Sequence, residues 1–264
     1  TPMKFGMPTL MEFDTIEDCA KLCQQVNLNF IEINMSLPQY TVDAIDTDKF
    51  NDIAQKYNLT YTIPLDENTN FFDFNTYTAS AAFRYVEDSI KLAKKISATV
   101  LNMHFKPGEH FTLPDKKVYL YGYYREHYLS KVNAFKEMCE AAVGDSDIKI
   151  CIENCNGFHD FQKEALAILL ESKCFALTYD IGHNHSCGDL DEAYIIENQS
   201  NLCHMHLHDA IGKKHHLTLG TGELDLNVYM NLAKDCNCSV VLEVKTAEGL
   251  KNSIDWMKST GWME

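Results

Sequence analysis

The residues able to do chemistry in this chain crowd into a few short stretches. Residues 202–220, LCHMHLHDAIGKKHHLTLG, hold five of the 11 histidines: His204, His206, His208, His215 and His216. Near neutral pH an imidazole serves as a metal ligand or a proton-transfer group. Which it does depends on the groups that meet it. Glu153 in KICIEN, Asp180 in FALTYD and Glu243 in SVVLEV each sit in a short apolar run, as does His104 in TVLNMHF. An ionised side chain carried into such surroundings costs several kcal/mol unless it is paired.

Eight short apolar runs supply the elements that must position these groups. They are residues 3–8, 30–35, 60–65, 99–105, 149–154, 175–180, 202–208 and 239–244. Helical patterns alternate with them over 15–26, 46–57, 78–96, 125–143, 160–172, 190–197, 228–235 and 248–259. In the third helix Ala82, Val86, Ile90 and Ala93 keep a near-3.6 spacing. Thr15, with Asp18 three residues on, reads as an N-cap. Alternating β and α implies a parallel sheet. Eight units in 264 residues, with no composition shift marking a linker, predict one domain over 1–264, a closed (β/α)8 TIM barrel. An open doubly wound sheet is the competing architecture. The G-x-G-x-x-G that would support it is absent after the first strand.

Alternate residues of a strand point to opposite faces. If the apolar set packs under the helices, His204, His206 and His208 point into the barrel while Cys203, Met205 and Leu207 point out. The same test sends Val100, Asn102 and His104 inward, then Lys149, Cys151 and Glu153. It also sends in Ala176, Thr178 and Asp180, and Ser239, Val241 and Glu243. Five strands thus deliver His104, Glu153, Asp180, His206 and Glu243 to the carboxyl end of the barrel, where barrel active sites sit. Three converging carboxylates repel, and a divalent cation is the simplest resolution. Glu153, Asp180, His206 and Glu243 form an oxygen-rich set with one imidazole. Such a set suits one Mn²⁺, Co²⁺ or Mg²⁺, with Zn²⁺ possible. His204 and His208 read as inward supporting residues, His216 as near the site and His215 as a solvent-facing loop residue.

Composition limits the function classes. Net charge is −15, with 45% hydrophobic residues, so the chain reads as globular. Its charge speaks against nucleic acid and anionic membranes as partners. The ten cysteines include no C-x-x-C, so they read as mostly reduced and buried. No 18-residue apolar run or signal-peptide pattern occurs. The expectation is a cytoplasmic protein, with a homo-oligomer open.

In their order, IEN at 152–154, DIGH at 180–183, HLHD at 206–209, HLTLGTGELD at 216–225 and VVLEV at 240–244 resemble the xylose-isomerase-like barrels. That family includes sugar-phosphate isomerases and epimerases, ketose 3-epimerases and endonuclease-IV-type apurinic endonucleases. The resemblance spans essentially the whole chain. It implies Glu153, Asp180, His206 and Glu243 as ligands of a single metal ion. It implies His183 as a substrate contact, and matches His104 and His216 to family histidines. The endonuclease pattern is incomplete here: Thr62-Ile63-Pro64 replaces a His-Ala-Pro-like strand end, and Lys214 stands where that pattern has aspartate. The epimerases' arginine after strand seven has no match; Lys213 or Lys214 stands nearby.

The chemistry so implied is proton transfer on a carbohydrate substrate. A divalent ion chelates adjacent carbonyl and hydroxyl oxygens and stabilises the enediolate. Glu153 and Glu243 remove and return the proton, and His183 holds a substrate oxygen. His104, His216, Lys106 and Lys214 are expected to touch substrate. The long stretch 106–124 reads as a lid. Phe71, Phe72 and Phe74 read as exposed aromatics for a sugar face or a subunit contact. Gly220-Thr221-Gly222 reads as a phosphate acceptor. The alternatives are an endonuclease-IV-like metal-dependent phosphodiesterase and a non-catalytic barrel that binds a small ligand.

Overall fold

A computed structural model describes residues 2–264. In chain order its elements are β1 (Lys4–Pro8), α1 (Ile16–Gln25), β2 (Phe30–Glu32), α2 (Thr47–Tyr57), β3 (Thr60–Pro64), α3 (Thr76–Lys95) and β4 (Val100–His104). A hairpin of β5 (His110–Thr112) and β6 (Lys117–Tyr119) follows, then α4 (Leu120–Tyr123), α5 (Arg125–Val143), β7 (Lys149–Glu153), α6 (Asp160–Leu170) and β8 (Phe175–Asp180). The last third holds α7 (Ile181–Ser186), α8 (Glu192–Glu197), β9 (Leu202–Leu207), the hairpin β10 (Asp209–Ile211)–β11 (Lys214–Leu217), α9 (Leu226–Asp235), β12 (Ser239–Leu242) and α10 (Ala247–Ser259).

Strands β1, β2, β3, β4, β7, β8, β9 and β12 pair in that order, and β12 closes on β1. Every barrel pair is parallel. This is the expected single (β/α)8 TIM barrel. Alternation separates the faces as predicted for most positions. Ile150, Ile152, Leu177, Tyr179, Met205, Leu207, Val240 and Leu242 belong to the core between sheet and helices and are fully buried. Helix α3 turns Ala79, Ala82, Val86, Ile90 and Ala93 toward that layer, one apolar stripe at helical spacing. Thr15 caps α1 by accepting the Asp18 amide at 3.2 Å, an arrangement worth about 1 kcal/mol.

Register brings the polar residues to one level. Glu153 lies beside His104 on one side and Thr178 on the other. His206 lies between Asp180 and Val241.

Three expectations change and one gains a definite form. Pairing between β8 and β9 slips between Leu177 and Thr178. This bulge gives Cys203 no partner of its own and turns it inward, against the outward placement alternation gave it. Its Sγ lies 3.0 Å from that of Cys151. With Val100 and Ala176 the pair fills the barrel floor. Second, the 106–124 stretch that reads as a lid takes the form of a paired hairpin and a helical turn. Third, Phe71 and Phe72 are buried, packing on Phe105, Tyr128 and Phe135; Phe74 is half-buried against Tyr121 and His127. Burying large aromatic area outweighs leaving it at the rim. Fourth, Gly220 and Gly222 donate their amides to Asp209 Oδ2 at 3.0 and 2.9 Å. Asp209 already fills the place where a phosphate would bind.

Candidate metal centre

The strand ends bring the four expected ligands together. His206 Nδ1 lies 3.5 Å from Glu153 Oε2, 3.6 Å from Asp180 Oδ2 and 3.6 Å from Glu243 Oε2. Glu153, Asp180 and His206 present ligand atoms within 4.8 Å of one another. Each of the four also contributes a buried atom without a hydrogen-bond partner: Glu153 Oε1, Asp180 Oδ2, His206 Nδ1 and Glu243 Oε2. Buried polar atoms are rarely left unpaired in folded proteins. His206 Nε2 is unpaired as well, but it faces away toward Glu32; the four atoms that converge, one from each side chain, fit a single divalent ion.

The rest of each ligand is held by the fold. The Asn102 amide donates to Glu153 Oε2, and Thr178 donates to Asn102 Oδ1 at 2.5 Å. Asn154 clamps the Asp180 backbone: its carboxamide oxygen accepts the Asp180 amide at 2.8 Å, and its NH2 donates to the Asp180 carbonyl at 2.9 Å. This explains the asparagine of IEN. Asp180 Oδ1 caps α7 by accepting the His183 amide at 2.7 Å, and lies 2.8 Å from His208 Nε2. His208 Nδ1 accepts the His216 amide at 2.7 Å, so its Nε2 carries the proton donated to Asp180. The spacing in DIGH is therefore a capping geometry that folds His183 back over its own aspartate.

The surrounding histidines fall into place. His183 Nδ1 is 3.1 Å from Glu153 Oε1 and 3.0 Å from the Asn154 carbonyl. His104 Nε2 is 3.2 Å from Glu153 Oε1, and His216 Nε2 is 3.4 Å from Glu243 Oε2. His215 departs from the solvent-facing expectation. It packs in β11, its ring 5.2 Å from that of His183 and 4.3 Å from that of His216. Lys106 lines a 590 Å³ cavity that also reaches His104. Lys214 is exposed on β11, and no hydrogen bond or ion pair joins it to this centre. A second cavity, 390 Å³, is lined by Glu32, His104, His206 and Glu243. Both volumes suit a small polar ligand.

Charge in the cluster is tightly balanced. Burial alone would raise Glu153 and Asp180, but His104 and His206 around the first, and His208 and His183 around the second, hold both well below the usual carboxylate range. Glu243 sits at about 2, burial being outweighed by His206 and His216. His183 is raised to about 10: Asp180 and Glu153 overcome the burial that would lower it. His215 is lowered to about 4 by burial and by the neighbouring His216 and His208 rings.

One buried residue of the cluster was not expected. Glu32, at the end of β2, places Oε2 2.9 Å from His206 Nε2 and Oε1 2.9 Å from His204 Nε2. The signal was there to find. In FIEINM the alternation that puts Ile31 and Ile33 outward puts Glu32 in phase with the inward set.

Residues 13–260 match the family described as xylose isomerase-like TIM barrel. The chain belongs to that family. No curated protein matches it. Among solved structures, a D-tagatose 3-epimerase-like protein superposes with TM-score 0.77 at 20% identity, covering 97% of this chain and 96% of that one. The 3-keto-D-glucoside 4-epimerase YcjR from E. coli gives TM-score 0.77 at 14% identity, covering 97% and 99%. The IolI protein with a bound zinc atom gives 0.74 at 16%, covering 98% and 96%. Among the described residues no helix is long and apolar enough to cross a membrane.

Proposed function

We propose that this chain is a divalent-metal-dependent isomerase or epimerase of a small carbohydrate that carries a carbonyl beside a CH–OH carbon. The carrying observation is the set of four unpaired buried atoms of Glu153, Asp180, His206 and Glu243 at the head of an open cavity. Structural similarity to a D-tagatose 3-epimerase-like protein, to a 3-keto-D-glucoside 4-epimerase and to the IolI protein with a bound zinc atom supports the same reading. A divalent ion held by these four residues would polarise the substrate carbonyl and acidify the neighbouring C–H.

The chain's own groups do the rest. Glu153 and Glu243 come from strand ends three apart around the barrel, so they reach a bound substrate from different sides. One takes the proton from carbon and the other returns one to the opposite face. Both are held ionised, so either can take the proton, and the one that returns a proton must first receive it from water in the open cavity. His183 and His104, beside Glu153, hydrogen-bond substrate oxygens, and His216 does so beside Glu243. Lys106 acts from the rim.

A second reading draws on His183, His215 and His216, whose ring nitrogens lie within 4.8 Å of one another. Three clustered imidazoles favour a further zinc ion, and with it a phosphodiesterase. The stoichiometry of bound metal decides. Protein purified without chelator is expected to carry about one ion per chain, largely lost in Glu243→Gln, and to exchange a ketose C–H in D₂O. Two or three zinc ions with no exchange would favour the phosphodiesterase. No ion under any loading condition would sink both.

A further inference from the structure

Glu32 belongs to neither the ligand set nor the substrate contacts named above, yet it is almost fully buried at the barrel centre. A buried carboxylate without partners is costly. Here it has three polar neighbours from two strands. Thr62 of β3 donates its hydroxyl to Oε1 at 3.1 Å. His204 Nε2 meets the same oxygen at 2.9 Å, and His204 Nδ1 lies 2.6 Å from Ser239 Oγ. The other oxygen, Oε2, lies 2.9 Å from His206 Nε2, a close contact off the N–H axis. This is the shortest of the carboxylate contacts that His206 makes; the other three, all to Nδ1, are 3.5–3.6 Å.

Proton bookkeeping gives this arrangement a direction. Thr62 spends its proton on Glu32. An ionised Glu32 accepts only, so His204 presents an Nε2–H to it, while His206 turns its Nε2 edge to the other oxygen at 2.9 Å without completing a hydrogen bond. His204 Nδ1 then accepts from the Ser239 hydroxyl. The ring is thus turned with Nε2 beside Glu32 and Nδ1 facing Glu153, Asp180 and Glu243, and a neutral His206 with its proton on the Glu32 side offers its lone pair at Nδ1. Outward from His206, the residues of the β2 side fix which nitrogen is offered and which way the ring is turned.

We infer that Glu32 is a positioning residue that fixes His206 with Nδ1 toward the three carboxylates, and that Thr62, His204 and Ser239 hold Glu32 for that task. A carboxylate behind a ligating imidazole raises its basicity and fixes its tautomer, and losing such a partner typically weakens metal binding 10–100-fold. The inference rests on the metal-centre reading proposed above.

The test is metal affinity of wild type and Glu32→Gln by chelator competition, with Zn²⁺ and Mn²⁺ as probes. Imidazole NMR of zinc-loaded and metal-free protein accompanies it. Gln keeps the shape and one acceptor oxygen but loses the charge. The expected result is binding at least about tenfold weaker in Glu32→Gln. In wild type the His206 Nε2–H proton should resonate downfield and exchange slowly, and Glu32→Gln should shift it upfield. Affinity within about twofold of wild type, or a His206 bound through Nε2, overturns the inference. Should Glu32→Gln fail to fold, the wild-type NMR decides alone. Should wild type bind no ion, the metal-centre reading falls. The protected Nε2–H in metal-free protein then still tests whether Glu32 sets the ring.

Discussion

Glu32 also carries a consequence for acid stability that a ligand of the ion cannot show as cleanly. Burial would raise its carboxyl, but His206 and His204 hold it at about 2 against an ordinary 4.5. In the unfolded chain the carboxylate binds its proton at about 4.5; in the folded chain it resists until about 2. The folded state is therefore favoured above 4.5, and the advantage is lost as pH falls from 4.5 toward 2, on the order of 3 kcal/mol in all. Thermal melts of chelator-treated protein should show wild type well above Glu32→Gln at pH 6 and the two converging by pH 3. Parallel curves across that range would mean that Glu32 is not held ionised in the native protein.

At the scale of elements, spacing within one strand was legible and relations between strands were less so. Alternation in β4, β7, β8, β9 and β12 placed His104, Glu153, Asp180, His206 and Glu243 on the interior, and the structure gathers all five. The same alternation misplaced Cys203, because a bulge depends on the pairing of two strands and leaves no trace in either one alone. Glu32 stands apart from the five because it ends the short strand β2, and only its contacts with His204 and His206, residues far away in sequence, show that it belongs to the cluster. Helix α7 was hidden because IGHNHS carries no apolar stripe; its start is set by the Asp180 cap. The glycine inside it has a purpose the sequence also conceals. A Cβ on Gly182 would lie 2.2 Å from His208 Cε1, and His208 is fully buried. Gly182→Ala must push His208 off Asp180 or shift α7. The expected cost is about 1–3 kcal/mol, the range for overpacking, read as a lowered Tm. Weaker metal binding should accompany it, since Asp180 loses the donor that orients it. A Gly182→Ala protein with wild-type Tm and affinity would show that α7 has room to move.

Taken whole, the molecule builds its centre by closure. The four ligands come from β7, β8, β9 and β12, a contiguous run of barrel strands that includes the member closing on β1. No local segment contains the site, and only the finished barrel assembles it. The unfolded chain scatters the same residues over 91 positions of sequence, from 153 to 243, and offers no comparable cage. An ion that binds the native state alone stabilises it by mass action, about 2.7 kcal/mol at a hundredfold excess over Kd. The Tm should therefore climb with free metal concentration and keep climbing beyond saturation, as this linkage requires. Slowed amide exchange should concentrate in β7, β8, β9 and β12, while β1 and β3, which supply no ligand, change less. Asp180→Asn should flatten both responses without opening the barrel, because Asn keeps the side-chain oxygen that caps α7. A Tm indifferent to metal in wild type, or protection spread evenly around the barrel, would show that the four unpaired atoms do not hold an ion in common.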